Sequence, residues 1–254
     1  MQNLKVTLFQ SALFWEDIAA NLSAFEQKME AISPGSTDVI LLPEMFTTGF
    51  SMKNVANLAE TAQGLTFEWL QKMANKHKAV VSGSFMVKEN GKFYNRLLWM
   101  RPDGNFAHYD KKHLFSMAKE QEFFSPGTTK TLVDYNGWKI CPMICYDLRF
   151  PTWLRNKQAY DLLYFVANWP ESRSAHWRSL LQARAIENQA YVVGVNRVGK
   201  DGNGVPHSGD SMVIAPDGKI IAHLSQTEQI HQVSLAPESI EITRRHMPFL
   251  KDMD

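Results

Sequence analysis

A cysteine and a glutamate that each end an apolar run, and a lysine in a knot of charge, are the residues here whose types suit joint chemistry. Cys145 closes Ile140-Cys-Pro-Met-Ile-Cys145 and is followed at once by Tyr-Asp-Leu-Arg-Phe-Pro151, where charges and proline stop a strand pattern. A strand end is where a loop can present a side chain to a cleft, and a thiolate there is a strong nucleophile. A free cysteine is also an ordinary small buried hydrophobe; Cys141, inside the apolar run, fits that description better than Cys145. Glu44 directly follows Leu41-Leu42-Pro43, so a carboxylate stands at the exit of an apolar segment, as a general base or as a solvated turn residue. Lys111, in Tyr109-Asp-Lys-Lys-His-Leu-Phe115, could stabilise a thiolate or a developing oxyanion, although beside Lys112 it also reads as a surface lysine. Glu120 is locally one of several acidic residues in a polar loop.

Other chemistries lack their signatures. The eight histidines show no paired spacing with cysteine or carboxylate, and Cys141 and Cys145 are not spaced as a zinc knuckle, so no metal is expected. Gly199-Lys-Asp-Gly-Asn-Gly204 matches neither a dinucleotide fingerprint nor a phosphate loop and reads as a mobile loop. A serine nucleophile elbow is absent, which returns attention to the thiol.

The elements that must position these residues follow from periodicity. Ile18, Leu22, Phe25, Met29 and Ile32 form one helical stripe within residues 17 to 32, and further helices are expected near 65 to 77 and 175 to 190. Asp38-Val-Ile-Leu-Leu-Pro43, Asp161-Leu-Leu-Tyr-Phe-Val-Ala167 and Tyr191-Val-Val-Gly-Val195 are short apolar runs suited to strands buried on both faces. Asn90-Gly91 between apolar runs 79 to 88 and 93 to 100 predicts a hairpin. Strand–helix units mixed with hairpins give an α/β protein with mixed or paired sheets flanked by helices, and with no linker or repeat the whole of 1–254 reads as one domain.

Composition narrows the class. With 27 basic against 26 acidic residues there is no general attraction for nucleic acid or anionic membranes. Leu4 to Phe9 is too short for a signal-peptide core and no apolar run is long enough to span a membrane, so a cytoplasmic protein is expected. If Lys139 to Tyr146 is a strand, Cys141 and Cys145 lie roughly 13 Å apart, beyond the about 7 Å a disulfide allows. Both thiols are expected to be reduced.

Leu-Leu-Pro-Glu44-Met-Phe-Thr-Thr-Gly-Phe50, Tyr-Asp-Lys111-Lys-His-Leu-Phe115 and Ile-Cys145-Tyr-Asp-Leu-Arg-Phe-Pro151 together resemble, in order, the three signature blocks of the nitrilase superfamily of carbon–nitrogen hydrolases. The resemblance runs on through Ala167-Asn-Trp-Pro170, His176-Trp-Arg, Ala183-Arg-Ala-Ile-Glu-Asn-Gln189, Asn196-Arg-Val-Gly199 and Gly209-Asp-Ser211. It implies a four-layer αββα sandwich with mixed sheets, associating through its helical layer into a homodimer, with a C-terminal tail of about 236–254 reaching across that dimer. Within the family, residues 167 to 177 resemble the short omega-amidases, which hydrolyse the side-chain amides of 2-oxoglutaramate and 2-oxosuccinamate; His207 stands where similar enzymes often carry tyrosine.

The resemblance further implies that Glu44, Lys111 and Cys145 are the catalytic set and that Glu120, the family's second glutamate, orients Lys111 or the substrate amide. Glu44 would take the thiol proton, Lys111 and the Tyr146 N–H would receive the oxyanion, and a thioester would be hydrolysed by a water activated by Glu44, with no cofactor. The distal carboxylate of such a substrate needs a cation: Arg173, or less favourably Arg149, which reads rather as a structural ion-pair residue. Trp169 and Phe50 could wall the pocket or belong to the core. N-carbamoyl-amino-acid amidohydrolase and nitrilase activities would use the same three residues. A non-catalytic assembly or binding protein on the same fold would not need them, and a redox-sensing cysteine protein would show sulfenate or mixed-disulfide chemistry at Cys145 under mild peroxide.

Overall fold

The structure is a computed structural model and describes residues 1–253; Asp254, the last residue of the expected tail, lies outside the described residues. From the N-terminus, β1 (Leu4–Gln10) leads to α1 (Ile18–Met29), β2 (Val39–Leu41), α2 (Val55–Leu58), β3 (Glu60–Thr61) and α3 (Leu65–His77). Strands β4 (Val80–Glu89), β5 (Lys92–Met100), β6 (Phe106–Asp110), β7 (Val133–Tyr135) and β8 (Trp138–Ile144) follow. Then come α4 (Pro151–Leu154), β9 (Leu162–Ala167), α5 (Ser174–Asn188), β10 (Tyr191–Asn196), β11 (Val198–Lys200) and β12 (Pro206–Ser208). The chain ends with β13 (Met212–Ile214), β14 (Ile220–His223), β15 (Gln229–Leu235) and α6 (Pro237–His246).

Two mixed sheets carry the fold. One has the order β15-β1-β2-β4-β5-β6, with β3 beside β4; the other has the order β14-β13-β10-β9-β8-β7. β1, β2 and β4 run parallel in the first, as do β8, β9 and β10 in the second. Strand alternation sends Val6, Leu8, Val80, Leu97 and Trp99 into a core shared with the second sheet. There Ser82 Oγ meets Tyr164 Oη at 2.7 Å. The opposite face of the first sheet, including Phe9, Ile40, Val81 and Phe85, packs on Leu22, Phe25 and Met29 of α1 and Leu70 and Met73 of α3. Helix α5 covers the second sheet so closely that a Cβ at Gly194 would lie 2.6 Å from Leu181 and 2.7 Å from Trp177. The layers are therefore α-β-β-α, as the resemblance implied.

Local chemistry explains the boundaries. Asn90 (φ 51°) and Gly91 (φ 74°) supply the two left-handed residues of a tight β4–β5 hairpin turn. The α1 stripe is capped by the Asp17 carboxylate, which accepts from Ala20 N–H at 2.9 Å. The expected strand 139 to 146 ends at Ile144, because the chain turns into a 3-10 turn, Cys145–Arg149. The tail does not dangle: Arg244 donates to Tyr160 O (2.7 Å) and Asp161 Oδ1 (3.1 Å) of its own chain.

Candidate active site

The functional side chains come from both sheets: Glu44 and Cys145 follow strands of the parallel cores, and Lys111 follows the antiparallel edge strand of the first sheet. Glu44 follows β2, in a turn fixed where Met45 (φ 43°) donates its N–H to Ser84 Oγ at 2.9 Å. Lys111 follows β6, with its own N–H on Asn95 O at 3.0 Å and its carbonyl accepting from Gly127 N at 2.9 Å. Glu120 opens a 3-10 turn, Glu120–Glu122, directly after the left-handed Lys119. Cys145 follows β8 with φ 42°, a conformation that costs a non-glycine residue on the order of 1–3 kcal/mol and persists only when the surroundings impose it. The turn lifts the thiol out of the strand row, which periodicity alone does not reveal.

Lys111 Nζ lies 2.9 Å from Glu44 Oε1 and 2.9 Å from Glu120 Oε2, and all three side chains are essentially buried. Glu44 Oε1 also accepts from Asn95 Nδ2 at 2.9 Å, and Oε2 from the Asn168 N–H at 2.8 Å. Glu120 Oε2 additionally accepts from the Phe115 N–H at 2.6 Å, so this carboxylate bridges Lys111 Nζ and the backbone ahead of its own turn. Burial, the largest influence on Lys111, favours the neutral amine. Glu120 and Glu44 outweigh it and hold its pKa above the ordinary lysine value. Burial raises the Glu120 pKa, opposed by Lys111 and reinforced by Glu44. Burial and then the negative charge of Glu44 push the Cys145 thiol well above its usual range, with Lys111 opposing. Cys145 therefore rests as a thiol beside the Glu44 carboxylate.

A cavity of ≈ 690 Å³ opens onto this cluster; Lys111, Cys145 and Asn168 stand on its wall, with Phe50, Tyr146, Trp169 and Arg173, the four residues expected to bind substrate. Glu44 and Glu120 lie behind Lys111, fully buried. Arg149 also lines the cavity, its guanidinium 4.7 Å from the Trp169 ring, while that of Arg173 is 5.2 Å from the Phe115 ring. The arginines held in ion pairs among the described residues are Arg96, Arg184 and Arg244. The sequence leaning of Arg149 toward a structural ion pair is thus corrected: its nearest polar partner is His176 Nδ1 at 3.3 Å. His207 lines the wall with its pKa lowered to about 4, first by burial and then by Arg197. The loop expected to be mobile contributes Asp201 and Asn203 to the wall, and Val205, just after it, lines the wall as well. Within it, Gly202 packs so tightly on Trp15 that a Cβ would lie 2.3 Å from the indole.

Sequence reasoning assigned no role to Asn95, Asn168 or Trp15. Asn95 carried a usable signal, because an asparagine in the middle of an apolar strand needs a buried partner. Cys141, by contrast, is buried with its thiol pushed up to about 12 by burial, as its apolar setting implied. Both cysteines are free.

The site couples a buried carboxylate, an ammonium and a thiol at the mouth of two facing sheets, and the chain matches the carbon-nitrogen hydrolase family over residues 5–245; it belongs to that family, in the nitrilase superfamily. It is accordingly a hydrolase of carbon–nitrogen bonds other than peptide bonds. The chain is 45% identical to omega-amidase YafV of Escherichia coli strain K12, over 100% of this chain and 98% of the relative. It is 34% identical to the 2-oxoglutaramate amidase of Bacillus subtilis over 85% of each chain. Among solved structures, XC1258 of Xanthomonas campestris, a CN-hydrolase superfamily protein with an arsenic adduct in its active site, superposes with TM-score 0.97 at 37% identity, covering 100% of this chain and 98% of that one.

Proposed function

We infer that this protein is an omega-amidase that hydrolyses the side-chain amide of 2-oxoglutaramate or 2-oxosuccinamate to the 2-oxo dicarboxylate and ammonia. The observation that carries the reading is the combination, on one cavity wall, of the Cys145 thiol with two arginines, Arg149 and Arg173, that are outside the ion pairs found among the described residues. A monoamide of a dicarboxylic acid offers an amide carbon to the first and a carboxylate to the second. The omega-amidase and 2-oxoglutaramate amidase relatives support the same substrate class.

In this mechanism Glu44 accepts the Cys145 proton as Sγ bonds to the amide carbon, because the thiolate is not present beforehand. The oxyanion forms beside Lys111 Nζ and the Tyr146 N–H, which lies in the first turn of the 3-10 segment and has no partner within it. The C–N bond breaks as Glu44 returns the proton to the departing ammonia, leaving a thioester on Cys145. Glu44 then takes a proton from water as the water oxygen attacks the thioester carbon, releasing the acid and the thiol. Glu120 holds Lys111 in place. Trp169, whose Nε1–H donates to Arg173 O at 2.8 Å, fixes the wall on which the carboxylate docks.

The partner assignment extends to a second copy of the chain: exposed Ile186, Ile220, Ile221, Ile242 and Met247, from α5, β14 and the C-terminal segment, supply apolar surface for a homodimer. A reduced thiol nucleophile supports a cytoplasmic setting, and no helix among the described residues is long and apolar enough to cross a membrane. The test is ammonia release from 2-oxoglutaramate, 2-oxosuccinamate, glutamine, an N-carbamoyl amino acid and an aliphatic nitrile, with wild type and Cys145→Ala side by side. Preference for the oxo-acid amides, lost in the variant, is expected. Preference for the carbamoyl compound or the nitrile would overturn the substrate class, and an undiminished variant would overturn the nucleophile.

A further inference from the structure

Cys145 and Lys111 stand on different sheets, at the end of β8 and β6 respectively, so strand pairing does not set the distance between them. One buried carboxylate, Asp147, touches both of the segments that carry them. Its Oδ2 accepts from the Ile144 N–H at 3.1 Å, immediately before Cys145, and from Tyr109 Oη at 2.9 Å, at the end of β6. Its Oδ1 accepts from the His113 N–H at 3.0 Å and lies 2.7 Å from His113 Nδ1, two residues after Lys111. Tyr109 Oη in turn accepts from the Lys112 N–H and from Trp153 Nε1, both at 3.2 Å. The His113 ring is stacked on Phe150 with centroids 3.8 Å apart and planes 8° apart, which anchors it to the far end of the nucleophile turn.

We propose that Asp147 is a positioning residue that clamps the lysine segment to the nucleophile turn, and that His113 is the part of the clamp that reads its geometry from the lysine side. Four donors converge on a carboxylate with no exposed surface and no lysine or arginine partner, so they hold it by direction as well as by charge. On the Ile144 side this carboxylate ties down the residue preceding the left-handed Cys145, one of the surroundings that make its φ of 42° tenable. On the other side it fixes the backbone of Lys112 and His113, and with it the point from which Lys111 reaches the oxyanion. Asp147 is fully buried and does not line the cavity. Its effect falls on the alignment of thiol and ammonium, and hence on kcat, whereas the wall that sets binding is built by other residues. An ångström of misalignment in a reacting pair costs on the order of 100-fold.

The inference rests on Cys145 and Lys111 acting as the reacting pair, so Cys145→Ala is run alongside: activity retained there indicts that reading, not this one. The experiment measures kcat and KM on 2-oxoglutaramate, per folded protein by circular dichroism, for wild type, Asp147→Asn, His113→Ala and His113→Asn. Asp147→Asn turns an NH₂ toward two of the four donors and is expected to lower kcat about 100-fold with KM within about threefold. His113→Ala is expected to lose roughly tenfold in kcat, and His113→Asn, which keeps a side-chain donor near the Nδ1 position, to recover most of it. If Asp147→Asn does not fold, the two His113 variants decide the matter. A folded Asp147→Asn with kcat within threefold of wild type, a loss that appears in KM instead, or equal losses in His113→Ala and His113→Asn would each overturn the clamp.

Discussion

Replacing Arg149 or Arg173 by methionine tests the substrate class at its most specific point. Both guanidiniums are half-buried on the cavity wall, lie over aromatic rings at 4.7 and 5.2 Å, and have no carboxylate partner among the described residues. A hydrogen bond to a charged group contributes about 1.5–3 kcal/mol, and partial exposure favours the lower half of that range. At 1.36 kcal/mol per decade, about 1.5–2 kcal/mol corresponds to a loss of roughly 10–30-fold in kcat/KM for each variant. Methionine preserves the apolar stem and its packing against the ring while removing the fork. The assay is ammonia release from 2-oxoglutaramate and, in parallel, from butyramide, which has the amide but no carboxylate. The loss is expected only with the former, and the double variant should fall short of the product of the single losses if both arginines grip one carboxylate. Equal losses on butyramide would refute the reasoning, because they would show that these side chains shape the cavity and do not read charge.

Three further outcomes follow from the electrostatics. Glu120→Gln removes one of the two carboxylates at Lys111 Nζ, leaving Glu44 as the sole counter-charge; kcat should fall about 100-fold with little change in KM, and a change below threefold would refute its role. Because the Cys145 thiol is held well above its ordinary 9.0, iodoacetamide should alkylate it at pH 7.5 at least about tenfold more slowly than free cysteine. Fast alkylation that levels off below pH 7 would contradict a resting thiol. His207 has a folded pKa of about 4 against an ordinary 6.5. The unfolded chain therefore binds a proton first as pH falls, and the stability present above pH 6.5 is lost progressively down to about pH 4. That loss amounts to about 2 kcal/mol by pH 5. His207→Phe should flatten the decline of Tm between pH 7 and 5, and an unchanged slope would show that another group dominates.

The parts of the fold legible in the sequence were those where one element's own periodicity decides the outcome. The helices expected near 65 to 77 and 175 to 190 appear as Leu65–His77 and Ser174–Asn188, and the Asn90-Gly91 hairpin lies where its turn chemistry demands. What stayed hidden is tertiary in origin. Nothing in Ile144-Cys145-Tyr146 announces a left-handed cysteine, since its φ of 42° marks the switch from β8 into the 3-10 turn, which periodicity does not encode. Arg149 was read toward an ion pair because surface arginines commonly have one, and only the cavity shows it without a carboxylate. Likewise β15, whose residues alternate between exposed and half-buried up to Leu235, lacks the apolar density of an interior strand, and its pairing with β1 alone gives it away.

In the proposed mechanism, the charges at the site explain why the nucleophile can be both buried and safe. Glu44, Glu120 and Lys111 together carry a formal charge of minus one in a region almost without solvent. A thiolate at Cys145 would add a second buried negative charge beside Glu44, and that is the state the surroundings disfavour. Transfer of the thiol proton to Glu44 becomes acceptable only when the negative charge moves on to an oxygen facing Lys111 and the Tyr146 N–H, which requires an electrophilic carbon in place. The same ammonium that does little to ionise the resting thiol is thus placed to stabilise the tetrahedral adduct, an interaction stronger in the transition state than in the ground state. Since the ammonium and the sulfur are delivered by opposite sheets, their separation depends on what ties the two sheets together at the site, and in the proposed mechanism the reactivity of Cys145 is set by that tie, the Asp147 clamp included.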